Sequence, residues 1–166
     1  MLLNCHTYYS YKYGTFSVEQ LVQEVKAKAY ESVVLTDINN TSASIQFFKL
    51  CEKEQIKPIL GVDFRNGARQ QYVGIAKNNK GFKLLNEHLT EYLHSGKDFP
   101  HKAPEFTDAY IIYPFESTNY QSLNKNEYVG IKPSQLNQLP FSKWKDNTYK
   151  FVILQHGKFS HKRNLN

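Results

Sequence analysis

Apolar positions recur along this chain in two rhythms. Between residues 17 and 30, "SVEQLVQEVKAKAY" sets Val18, Leu21, Val22, Val25 and Ala29 three and four residues apart, the spacing that gathers side chains on one helical face. Ser17 and Gln20 form a capping box, which fixes where that helix begins. A second helix follows the polar turn "INNTS", whose Asn and Ser residues are suited to cap it, and carries Ile45, Phe48 and Cys51 inward. A third, "NNKGFKLLNEHLTEYL", aligns Phe82, Leu85, Leu89 and Leu93.

The other rhythm is one of short, nearly continuous apolar runs. Seven strand candidates result: "LLNCH", "SVVLTD", "PILGVDF", "QYVGIA", "AYIIY", "EYVGIK" and "KFVILQ". Pro58 sits at the entry of the third, and "RNGA" turns the chain from the third into the fourth. "PSQLNQL", between the last two, is barely long enough for two helical turns. Buried runs alternating with helices predict a parallel α/β sheet, closed or open. In such sheets the C-terminal strand ends form the functional face, which here offers His6, Asp37, Asp63 and His156. Two imidazoles and two carboxylates make an oxygen and nitrogen ligand set suited to Zn, Mn or Fe.

Composition narrows the class without naming a chemistry. A chain of 166 residues supports one core that hides roughly 70% of the unfolded surface. Asn4 and His6 interrupt the apolar start, and "AYIIY" is far shorter than a membrane span, so the expectation is a cytoplasmic domain without a membrane partner. Cys5 and Cys51 read as buried, reduced thiols, since no CxxC or dense cysteine framework accompanies them. The formal charge of +6 is spread along the chain, apart from "KFSHKR", and reads first as a solvated surface.

Four ordered blocks carry a family likeness: "LNCHTYYSYKYG", "VVLTDINN", "QIKPILGVDF" and "IAKNNKGFKLL". Together they resemble the polymerase and histidinol phosphatase (PHP) domain, in the version that begins bacterial DNA polymerase III alpha subunits. The resemblance implies a distorted seven-stranded (β/α) barrel, in agreement with the independent strand count, incomplete here at its C-terminal end. Active members hold a trinuclear metal cluster at the barrel mouth and hydrolyse phosphate esters. Carried over by position, Asn4 stands where the first His of an HxH pair belongs, and His6 keeps the second. Tyr13 takes the place of an acidic or His ligand, Thr36, Asp37 and Ile38 replace Thr-Asp-His, and Asp63 stands for a bridging Glu. Further on, Phe115, Ser134, His156 and Lys158 fall at later ligand positions.

The resemblance therefore implies a degenerate site with no catalytic residue and no cofactor. The alternative enzyme, a phosphoesterase or 3'-5' exonuclease, would hold one residual Zn, Mn or Fe ion on His6, Asp63 and His156. Each position also has a plainer reading. Asp37 suits an N-cap for the next helix, Asp63 an ion pair with Arg65 or a nearby Lys, and His156, before Gly157, a turn. His88, His94, His101 and His161 fall on polar faces or loops. Tyr8, Tyr9, Tyr11 and Tyr13 either fill the volume the metals vacated or stack bases, as in a single-stranded nucleic-acid contact module.

The functional expectation is a structural PHP domain over residues 1–166, a fragment of a longer replicative polymerase chain. Nucleotidyl transfer would reside elsewhere, since no polymerase carboxylate motif is recognisable here. The implied partners are the rest of that chain and, in some lineages, a proofreading exonuclease subunit, with a weak DNA contact as a further option. Only eleven residues follow "KFVILQ", so the last strand is expected to lack a covering helix and to leave an edge prone to self-association.

Overall fold

The Ser17 hydroxyl accepts the Gln20 backbone N–H at 3.2 Å, and the Gln20 carboxamide oxygen accepts the Ser17 N–H at 2.9 Å. The capping box thus starts helix α1 (Val18–Ala27) where expected. A computed structural model describes residues 2–117, 122–142 and 148–154. All seven strand candidates form: β1 (Leu2–Cys5), β2 (Ser32–Leu35), β3 (Lys57–Asn66), β4 (Arg69–Ala76), β5 (Ala109–Pro114), β6 (Glu127–Ile131) and β7 (Phe151–Ile153). Helices α2 (Ser44–Lys53) and α3 (Asn79–Ser95) complete the main elements. "PSQLNQL" lies within a 3₁₀ segment, Pro133–Phe141.

The strands join one seven-stranded sheet in chain order, β1 to β7. Pairing is parallel from β1 to β3 and from β5 to β7, but antiparallel for β3–β4 and β4–β5. The expectation of a parallel sheet is corrected there. Gly67 adopts φ +58° in a two-residue connection that folds β4 back on β3, and no crossover helix intervenes.

Strand alternation sorts the apolar residues into layers. Val33 and Leu35 pack outward with Val18, Leu21, Val22 and Val25 of α1 and with Phe47 and Cys51 of α2. Val62, Phe64, Tyr72, Ile111 and Tyr113 pack outward against Leu85 and Leu89 of α3. Val34, Val73, Ile75 and Ile112 face the other way with Leu154. A flat seven-stranded sheet would hold its outer strands about 29 Å apart. Here Leu3 of β1 and Val152 of β7 line one cavity of about 440 Å³ together with Val34, Ile75, Tyr110 and Tyr128. The sheet is curled, with this apolar concavity as its inside. Among the described residues β1 and β7 form no ladder, so the barrel is open.

The helices differ from expectation at four points. In α2 the buried residues are Ser44, Phe47 and Cys51, whereas Ile45 is 72% exposed and Phe48 43%. Adjacent phenylalanines allow two faces that share Cys51, and packing on β3 and α1 selects the one through Phe47. The α2 N-cap is Ala43, without a side-chain cap bond; Asn40 instead accepts the Ser42 N–H. Ala29 lies past the end of α1, at φ +54° and exposed. In α3, Leu93 is exposed and His88 is buried, opposite to their expected places. His88 Nε2 lies 2.7 Å from the Tyr72 hydroxyl, with the Phe64 and Phe106 rings edge-on.

Two outcomes follow from this packing. In urea unfolding, Phe47→Ala is expected to lose about 3–5 kcal/mol, whereas Ile45→Ser stays within about 0.5 kcal/mol of the parent. Burial lowers the His88 pKa below its ordinary 6.5, with only a partial opposing pull from Glu91. Below that value the unfolded chain takes up a proton that the folded chain refuses, so this contribution to stability falls as the pH drops from 6.5 towards the lowered folded value. Urea midpoints measured across that window are expected to decline less steeply in His88→Phe.

Candidate functional site at the strand ends

The carboxyl ends of β1, β2 and β3 converge on a small set of buried polar groups. Asp63 and Arg65, two residues apart on β3, share its concave side. A register shift between Phe64 and Arg65 sets Arg65 opposite Gln70 of β4. Both reach Asp63: Arg65 Nη2 and Nε donate to Oδ2 at 2.8 and 3.1 Å, and Gln70 Nε2 donates to Oδ1 at 2.9 Å. His6, just beyond β1, brings Nε2 to 3.1 Å from the same Oδ2. The carboxylate is fully buried, and the guanidinium is only 6% exposed. Burial raises the Asp63 pKa, but hydrogen bonds and charge from His6 and Arg65 outweigh it and hold the carboxyl below its usual range.

Tyr13 covers this pair. Its ring stacks on the Arg65 guanidinium, 4.6 Å from the ring centre. The expectation that the tyrosines fill a vacated metal site is therefore corrected for Tyr8, Tyr9 and Tyr11, whereas Tyr13 lies over the pair that occupies the mouth. Tyr8, Tyr9, Tyr11 and Tyr13 all stand at the surface, and the group lying against Asp63 is Arg65.

Asp37 has a different task from the helix cap expected of it. Its Oδ1 accepts the Thr7 backbone N–H and the Ser10 hydroxyl, and Oδ2 accepts the Thr7 hydroxyl, all at 2.7 Å. The Ser10 oxygen in turn accepts the Ile38 N–H at 2.9 Å. One buried carboxylate thereby ties the β1–α1 loop to the end of β2. Gly14 closes that loop, because a Cβ there would sit 1.7 Å from the Thr7 carbonyl oxygen. Ile38 bridges to Asp63, which extends the β2–β3 pairing. Asn4 accepts the Thr36 hydroxyl at 2.7 Å. Burial first, and the Asp37 charge second, push the Cys5 thiol up to about 12; burial does the same for Cys51, and both are free.

The sequence-predicted positions Asn4, His6, Tyr13, Asp37, Ile38 and Asp63 thus gather at one mouth, while His156 lies outside the described residues. Among the described residues, no group of three or more His, Cys, Asp or Glu side chains is arranged to hold a metal ion. Thr7, Ser10 and Gln70 escaped sequence reading because they act across 7 to 30 positions. For Gln70 a signal existed, since the "RNGA" turn places it across from Arg65.

A family profile described as the PHP domain matches residues 3–128, most of the chain. The chain belongs to the PHP domain family. Its PHP relatives include the DNA polymerase III subunit alpha of Mycoplasma genitalium, 29% identical over 86% of this chain and 16% of that protein. The corresponding subunits of Ureaplasma parvum and Bacillus subtilis are 28% identical over 75% of the chain and 34% identical over 50% of it. This PHP chain spans less than a sixth of the length of the last two, 13% and 8% respectively. A crystal structure of a Bifidobacterium adolescentis protein proposed to be a metal-dependent phosphoesterase aligns with TM-score 0.44 and 18% identity, over 56% of this chain and 31% of its own. No helix among the described residues is long and apolar enough to cross a membrane.

Removing one partner of a buried pair strands the other charge in a desolvated site. Arg65→Met is therefore expected to cost about 3–5 kcal/mol in urea unfolding followed by circular dichroism.

Proposed function

We propose that this chain is a structural PHP domain of a DNA polymerase III alpha-type protein, in which a tethered guanidinium takes the place of metal ions. The observation that carries this reading is Arg65 on Asp63. Both oxygens of that carboxylate are occupied by protein donors, and the guanidinium supplies the positive charge a metal ion would otherwise bring.

The rest of the mouth supports the same reading. Both Asp37 oxygens are engaged by Thr7 and Ser10, and the Asn4 carboxamide oxygen accepts from Thr36. A metal cluster needs several unprotonated ligands per ion and room for bridging water. These residues do not fit one. No step of phosphate ester hydrolysis is assigned to them, and no metal or other cofactor is required for the role proposed.

Without catalysis, the domain's contribution to DNA replication is architectural. It holds a curled sheet in a longer cytoplasmic polymerase chain, residues 1–166 forming one PHP unit whose first partner is the remainder of that chain. A separate proofreading exonuclease subunit is a second partner of the same kind. The likeness to alpha subunits supports this setting, because the matched stretch is a small fraction of each relative.

Metal content separates this reading from the enzymatic one. Protein purified without chelator is expected to carry Zn, Mn and Fe far below one per chain by inductively coupled plasma mass spectrometry, and to release no phosphate from p-nitrophenyl phosphate. Stoichiometric metal, together with phosphatase activity abolished by Asp63→Ala, would overturn it.

A further inference from the structure

We infer that the loop from His6 to Gly14, with the adjoining basic wall of the mouth, is a binding surface for single-stranded nucleic acid. The loop displays four tyrosines to solvent: Tyr8, Tyr9, Tyr11 and Tyr13 are 48%, 37%, 81% and 47% exposed. Aromatic rings exposed together in this way contribute little to the core. Tyr8 and Tyr9 lie 4.7 Å apart with their planes tilted by 30°, and all four offer π-faces of the kind on which bases stack regardless of sequence.

The loop is also built to stay in place. Asp37 fastens it at Thr7 and Ser10, the Tyr8 N–H donates to the Phe16 carbonyl, and the Tyr13 and Gly14 N–H groups donate to the Ser10 carbonyl. Lys12 is held at φ +69°, in the left-handed region that a non-glycine residue rarely adopts. A surface loop anchored from below by a buried carboxylate presents its rings with little ordering left to lose on binding.

Charge selects the kind of partner. Lys12 lies over the Tyr11 ring at 5.6 Å, and Arg65 backs Tyr13. Beside Tyr13, Arg65, Arg69, Gln70 and Lys132 line a polar cavity of about 440 Å³. The exposed carboxylates nearby are Glu19, beside Tyr8 and bonded to Gln46, and Glu116 on the cavity wall, which accepts from Gln135, while Asp37 and Asp63 lie buried beneath, bonded to Thr7 and Ser10 and to Arg65. Protein-binding patches concentrate aromatic residues in a core depleted of charge. Here cations alternate with the rings, which suits a strand whose bases stack while its phosphates meet Lys12, Arg69 and Lys132. The contact does not depend on whether the mouth holds metal.

Fluorescence anisotropy with fluorescein-labelled oligo-dT and oligo-U, in EDTA to exclude metal-bridged phosphate, tests this. Saturable binding is expected, weakening steeply between about 50 and 200 mM salt. Tyr9→Ala and Tyr11→Ala should each weaken it about fivefold or more, and Lys12→Ala and Arg69→Ala should each lower the salt slope by about 0.7. The Tyr11→Ala thermal melt should match the parent, since that ring is exposed. Failure of both to bind at low salt, or affinity unchanged in the two tyrosine variants, overturns the proposal, whatever metal analysis finds.

Discussion

One buried ion pair, Asp63 with Arg65, sets the character of the whole mouth. A lone carboxylate in this position would be desolvated at a cost of several kcal/mol, and it would attract any cation able to enter. The chain supplies that cation itself, two residues along the same strand. Because strand side chains alternate, Asp63 and Arg65 share a face, and the hairpin delivers Gln70 to the free oxygen. His6, at the end of a different strand, completes the set and ties β1 to β3 through the site.

Asp37 does for the loop what Arg65 does for the mouth. Three short hydrogen bonds draw the β1–α1 connection down onto the sheet. The consequence is a division of labour within one short segment: Thr7 and Ser10 point down and are buried, while the tyrosines between and beyond them point out. Gly14 permits the tight return that makes this possible.

Much of this architecture could be read from the sequence, for identifiable reasons. Every strand candidate formed, because short apolar runs between polar breaks leave few other ways to bury them. Helix α1 was legible down to its cap, since Ser17 and Gln20 are local to each other. The α2 face was not, because Phe47 and Phe48 are near-equivalent until the sheet beneath chooses between them. Sheet direction was half legible: the "RNGA" turn already implied a hairpin, and a hairpin is antiparallel. At the site, the pairing of Asp63 with Arg65 was open to a strand-periodicity argument. The role of Asp37 was hidden, because nothing local links residue 37 to residues 7 and 10.

The order of the sheet has a consequence for how the chain acquires its shape. Each strand pairs with the one made just before it, from β1 to β7, so during synthesis at roughly 5–20 residues per second every new strand finds its neighbour already present. Among the described strands, none must wait for a later segment to fill a gap beside it. The entropic cost of closing each loop is kept to short and intermediate separations, and the growing edge is always the newest strand. Such a sheet can be laid down vectorially, one strand at a time, as the nascent chain leaves the ribosome.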